Sequence, residues 1–195
     1  RVVWPWAAAV SDLPVTQLDR VIVGATLGAE TAAIYHVVKR IAQIFSQFAA
    51  PLNQVLYPEL LRLLQRDNER KQVIVLVRKI FFTIFLTGFL ALLVSVFVKD
   101  WWIQLFMPKL LPFGNMLHIY LFFQLVAVSF VFIHPLALAL IGNKVPAILT
   151  LLTNVGFVII LSLLAPNGVI FALAANILQM AVVVTAKTFI CIKEC

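Results

Sequence analysis

Asp19 and Arg20 stand side by side in the run TQLDRVIVGATLGAE, residues 16–30, and Lys39 and Arg40 stand together in YHVVKR, residues 35–40. Both runs are otherwise rich in apolar and small residues. Charges in such surroundings are costly unless they meet a partner, a bundle interior or a water-filled cavity. Asp19 can offset one of the three bases, and the next acid along the chain is Glu30. The chemistry this suggests is anion binding without bond making. A guanidinium is a planar fork that grips two phosphate oxygens at once.

These residues need a helical hairpin to bring them together. A turn is expected near residues 28–31, between a span over 2–28 and a span over 31–57. The two charged pairs lie about ten residues on either side of it, so at 1.5 Å per residue both fall about 12–15 Å below the same surface. His36, Arg40, Gln43, Gln47 and Gln54 recur at helical spacing in the second span, widened by Lys39, Ser46, Asn53 and Tyr57; Asp12, Thr16, Asp19 and Thr26 do so in the first. Such helices have a wet side and a lipid side. Arg20, Lys39 and Arg40 are the candidate anion-binding bases, with His36, Gln43, Gln47 and Asn53 as hydrogen-bonding neighbours and Asp19 tuning the charge. The other reading is structural: Asp19 pairs with Lys39 or Arg40 across the hairpin and neutralises it. Gly24 and Gly28 form a GxxxG, which would admit a close-packed helix.

Composition places the hairpin in a membrane. Of 195 residues, 63% are hydrophobic and 12% charged, with a mean hydropathy of +1.06; soluble domains run at about 45–50% and 25%. The fold class expected is all-α and integral to a membrane, with about six transmembrane helices. The ten-residue alternation of a transmembrane barrel is missing. The spans fall over 2–28, 31–57, 80–98, 115–141, 146–165 and 169–190, with a basic loop over 58–79 that could lie on anionic headgroups. Turns are expected at GNK, residues 142–144, and PNG, residues 166–168; Trp101 and Trp102 suit the headgroup level. Pro14, Pro51, Pro135 and Pro146 mark kinks or span ends.

The net charge of +7 does not indicate nucleic acid, because the bases gather between spans as the positive-inside rule expects. Arg62, Arg66, Arg70, Lys71, Arg78, Lys79, Lys144, Lys187 and Lys193 share one side with Arg1, against Lys99 and Lys109 on the other. Both termini are therefore expected in the cytoplasm. No signal peptide is expected, and a chain beginning at Arg1 reads as part of a larger protein. No metal, P-loop or dinucleotide signature occurs, so no cofactor is expected. Cys191 and Cys195 read as incidental. Asn154, Asn176 and Gln179 read as hydrogen-bonding glue between helices, and His118 and His134 as structural histidines.

The run DRVIVGATLGAETAAIYHVVKRIAQIFSQFAAPLNQVLYPELLRLL resembles the helix pair that opens a lobe in polysaccharide exporters, and LALIGNKVPAILTLLTNVGFVIILSLLAPNGVIFALAANIL resembles a later helix pair of the same family. The family is the polysaccharide/O-antigen flippase branch of the multidrug/oligosaccharidyl-lipid/polysaccharide exporter superfamily. The resemblance implies one six-helix lobe, the C-terminal one, of a two-lobe bundle around a central cavity. It implies translocation of an undecaprenyl-diphosphate-linked oligosaccharide across the bacterial inner membrane. The partners it implies are that lipid-linked oligosaccharide, membrane lipids and a missing N-terminal lobe or a homodimer partner. Arg20, Lys39 and Arg40 are the positions that could serve as the family's basic lumenal residues. Three alternatives stand beside it: a cation-coupled multidrug exporter, a non-transporting membrane scaffold or fragment, and a membrane enzyme such as a glycosyltransferase or ligase. A cationic drug would prefer acids in the cavity, and an enzyme would need an outward pair of acids or a His–Arg cluster that this chain lacks.

Overall fold

The computed structural model describes residues 17–47, 49–65, 70–142 and 144–194. Arg1, Asp12, Pro14, Thr16, Arg66 and Cys195 lie outside the described residues, as does the Asn53 side chain. The described residues form helices and no sheet: α1 (Asp19–Leu27), α2 (Ala29–Gln47), α3 (Ala49–Leu64), α4 (Arg70–Phe97), α5 (Lys99–Phe106), α6 (Gly114–Ser129), α7 (Ile133–Ile141), α8 (Lys144–Leu164) and α9 (Val169–Glu194), with 3₁₀ turns at Pro108–Phe113 and Ala165–Asn167. Among the described residues, four segments are long and apolar enough to cross a membrane: Lys71–Phe97, Pro108–Ile141, Lys144–Asn167 and Val169–Lys193. The protein is thus an all-α, multi-pass membrane bundle. α2 is not among the four, because Glu30, His36, Lys39 and Arg40 interrupt it.

The hairpin expected near residues 28–31 is present. Gly28 joins α1 to α2 at φ 83°, a backbone region that L side chains rarely adopt. Its N–H donates to the Gly24 carbonyl at 3.1 Å and so closes α1. This corrects the reading of Gly24 and Gly28 as a helix-docking GxxxG. Gly28 is the turn itself, and Gly24 faces Ala32 of the same hairpin.

A break after α6 shapes the rest: α6 ends at Ser129 and α7 starts at Ile133. It lies about four residues before Pro135. That is where the missing N–H and the ring's clash disturb the preceding carbonyl. Across it the backbone tightens, with Phe130, Val131 and Ile133 each bonding three residues back. The loop expected over 58–79 is helical at both ends. α3 runs through Pro58 to Leu64 because Leu56, Leu60 and Leu63 are buried in a cluster with Val73 and with Phe132, Ile133, Leu136 and Ala137. A second, larger cluster forms around Tyr35, Leu117, Tyr120, Phe157 and Leu161. Gly88 lets α4 lie close to α6, since a Cβ there would overlap the Leu125 side chain.

α1 packs on the Ala165–Asn167 turn, placing that turn, Gly28 and the Pro108–Phe113 turn at one end of the bundle. The α3–α4 and α7–α8 junctions and the end of α9 lie at the other, with Arg62, Lys71, Arg78, Lys79, Lys144 and Lys193. The basic asymmetry expected from sequence is thus a property of the folded bundle. Trp101 is 68% exposed at the less basic end, and Trp102 turns in to donate to the Ser95 carbonyl at 3.3 Å. His118 is buried and structural there, bridging the Gly114 carbonyl at 2.8 Å and Ser95 Oγ at 3.1 Å.

Polar glue between apolar helices also sits where the residue types suggested. Gln179 of α9 donates to Asn154 Oδ1 of α8 at 3.0 Å, and Tyr120 of α6 donates to Asn176 Oδ1 of α9 at 2.7 Å. Such bonds within membranes average about 0.6 kcal/mol and reach about 2. A double-mutant cycle on Asn154→Leu and Gln179→Leu is expected to return a coupling of that size in detergent unfolding; additive effects would remove the bond's role.

Candidate functional site

The hairpin separates the four charges into two environments. Asp19, 1% exposed, turns into the bundle. Its carboxylate pairs with the Lys39 ammonium and accepts from Tyr35 Oη at 3.1 Å and from the Arg20 backbone N–H at 2.8 Å. Lys39 also lies over the Tyr35 ring, 5.5 Å from its centroid. One turn of helix connects Tyr35 to Lys39, so α2 presents both to Asp19 on its buried face, together with Val38 and Ala42. This is the structural reading of the hairpin, with Lys39 as the base that is neutralised. Asp19 and Lys39 were expected to line a cavity. They sit in the core, because an acid and a base of opposite helices that meet face to face satisfy each other there better than in the open.

Arg20 and Arg40 are left on the outside. Neighbouring residues on a helix differ by about 100° in direction. Burying Asp19 therefore exposes Arg20, and burying Lys39 exposes Arg40. Neither guanidinium makes an ion pair among the described residues. Gln43 and Gln47 are exposed on the same face as Arg40, and His36 is half-buried beside it. His36 stands one turn before Arg40 on α2. Gln54 continues the exposed polar row on α3, and Asn53 stands on the same helix.

Sequence reasoning missed the polar groups behind this face. Tyr35 was not seen as Asp19's partner. Tyr120 and Gln124, one turn apart on α6, were not singled out, although two polar groups at i and i+4 in a mostly apolar span are a signal. Gln124 donates to Ser46 Oγ at 2.7 Å, tying α6 to α2 two turns below Lys39. A cleft of about 1240 Å³ opens elsewhere, between the first half of α2 and the Pro108–Phe113 turn. Its lining carries Glu30 and Lys109 but neither Arg20 nor Arg40. Arg20 and Arg40 are both exposed on the surface of the described residues. Among the described residues no group of three or more His, Cys, Asp or Glu could hold a metal ion.

The site as a whole can do electrostatic work. It offers two guanidiniums, an imidazole and two carboxamides on one helical hairpin, held at fixed register by a buried ion pair. No curated protein and no solved structure matches the chain. A protein-family model described as "Polysaccharide biosynthesis protein" matches residues 2–110, which include the whole hairpin and the arginine face. The later run resembling exporters, residues 138–178, lies beyond that match. Covering more than half of the sequence, the match shows that this chain belongs to the polysaccharide biosynthesis protein family.

Proposed function

We propose that the bundle is one lobe of a flippase that moves a lipid-linked oligosaccharide across the bacterial inner membrane, with the more basic end in the cytoplasm. The observation that carries this reading is the exposed Arg20–Arg40 face on a hairpin inside the family-matched segment. Two guanidiniums on an exposed membrane-level surface do not face lipid tails; they line water. A second lobe, or a second copy, would supply the opposite wall. A copy packed directly on this face would set arginine against arginine, so the walls enclose solvent.

The physical task is to lower the cost of carrying a diphosphate and sugars through hydrocarbon. Arg20 and Arg40 attract the diphosphate, and His36, Gln43, Gln47 and Asn53 hydrogen-bond sugars or headgroup. Asp19 and Lys39 position them by locking the register of α1 on α2. No bond is made or broken. The two lobes alternate access around a site near mid-membrane, as transporters built from repeats do. A cationic cargo would be repelled by this face.

To test the reading, Arg20 and Arg40 are both replaced by Gln in the full-length protein, and surface polysaccharide is measured at matched protein level. Loss of most export is expected. Normal export would refute it.

A further inference from the structure

The large cleft between α2 and the Pro108–Phe113 turn lies apart from the arginine face and carries chemistry of its own. It stands at the less basic end of the bundle, the end that also bears the exposed Trp101. Indole rings favour the headgroup level of a membrane. One wall is the first half of α2. There Glu30, Ala33, Ile34 and Val37 follow at i, i+3, i+4 and i+7 and so share one helix face. An acid therefore heads an apolar stripe. The facing wall is the proline-containing turn, where Lys109 stands among Met107, Leu110 and Phe113. The burial of Leu110 holds that turn in place, as does the Met107 N–H, which donates to the Ile103 carbonyl at 2.8 Å. Glu30 and Lys109 are the charged groups of the lining among the described residues, and neither makes an ion pair there. The cleft thus offers one negative and one positive group that do not meet each other, beside apolar walls. At about 1240 Å³ it exceeds the roughly 300–1,000 Å³ of a small-molecule site.

We propose that this cleft holds a phosphatidylethanolamine lipid, whose headgroup carries both a phosphate and a primary ammonium. The site does not rest on the flippase reading. Lys109 meets the phosphate with a charge-assisted hydrogen bond. Glu30 accepts from the lipid ammonium, which like that of lysine has three N–H groups to give. The apolar walls cover the start of the acyl chains. Charge complementarity selects this occupant. An anionic headgroup gives Lys109 a partner but sets a second negative charge beside Glu30. A choline headgroup is also zwitterionic, but its quaternary nitrogen has no N–H for the carboxylate.

The full chain in neutral detergent is titrated separately with palmitoyl-oleoyl phosphatidylethanolamine, phosphatidylcholine and phosphatidylglycerol, and bound lipid is counted by native mass spectrometry. Phosphatidylethanolamine is expected to bind about tenfold more tightly than phosphatidylcholine, the scale of a hydrogen bond to a charged group. In Glu30→Gln that preference is expected to vanish while phosphatidylglycerol binding does not fall. Lys109→Gln is expected to weaken binding of the ethanolamine lipid, and Lys109→Arg to keep it. The preference is expected to survive Arg20→Gln/Arg40→Gln, which separates this site from the arginine face. Equal binding of the ethanolamine and choline lipids by the wild type overturns the proposal, as does a preference that Glu30→Gln leaves intact. A Lys109→Gln loss confined to phosphatidylglycerol assigns the cleft to anionic lipid and overturns it as well. A lipid series on the wild type needs no variant. N-methyl and N,N-dimethyl phosphatidylethanolamine lose one donor at each step, so affinity is expected to fall stepwise toward that of the choline lipid. A flat series refutes the ammonium contact.

Discussion

Asp19→Ala is expected to destabilise the bundle by about 3–5 kcal/mol, the cost of leaving one member of a buried ion pair without its partner. Lys39 is 9% exposed and has the Asp19 carboxylate as its counter-charge. Without that carboxylate its ammonium loses its counter-charge on α1. The same change strips Tyr35 Oη of its acceptor, and an unsatisfied buried hydroxyl adds about 1–3 kcal/mol. Repair should follow in steps. Asp19→Ala/Lys39→Met removes the stranded charge and is expected to recover most of the loss, because apolar replacements of a buried pair are often neutral. Adding Tyr35→Phe removes the orphaned hydroxyl and should recover more. Unfolding in mixed micelles, titrated with sodium dodecyl sulfate and followed by tryptophan emission, reads the series. If Asp19→Ala is neutral, or if Lys39→Met fails to rescue it, the pair does not brace the hairpin.

How much of this was legible beforehand depends on the interaction. The hairpin was, because a Gly between two apolar runs with charges at equal distances leaves few other arrangements. That one of the two basic residues on α2 would meet Asp19 was also legible; which one was not. Lys39 and Arg40 differ by about 100° in direction, and the choice was made by Tyr35, Val38 and Ala42. These share the buried face with Lys39, and their packing needs the positions of α6 and α9. The partners of Tyr120 and Gln124 were illegible for a similar reason: Asn176 and Ser46 lie far away in sequence. The break before Pro135 was foreseen as a kink but not placed. Proline acts on the carbonyl four residues back, so Pro135 disturbs the backbone just after Ser129, where α6 ends. Pro58 breaks nothing, because the burial of Leu56, Leu60 and Leu63 outweighs the lost bond. Charge density alone made residues 58–79 read as a loop. It cannot distinguish a solvated connector from a helix with one apolar stripe.

A graded charge series at Arg20 and Arg40 tests the other half of the site. If the two guanidiniums attract a diphosphate, export should fall in the order Arg, Lys, Gln, Glu. Lysine keeps the charge and loses only the two-pronged grip; glutamine removes the attraction; glutamate repels. The Arg20→Glu/Arg40→Glu variant is expected to abolish surface polysaccharide. Both side chains are exposed, and substitutions at exposed positions usually change stability by less than about 0.5 kcal/mol. The micelle unfolding curve should therefore stay near that of the wild type. This is the reverse of the Asp19→Ala pattern, where stability falls first and export falls because the protein does. An alternative in which the arginines serve only as hydrogen-bond forks predicts that lysine fails as badly as glutamine. An alternative in which they only anchor the bundle predicts that stability and export fall together. Full export by the Glu pair would sink the electrostatic role. Loss by the Glu pair with retention by the Lys pair, at unchanged stability, assigns the face to the cargo's negative charge.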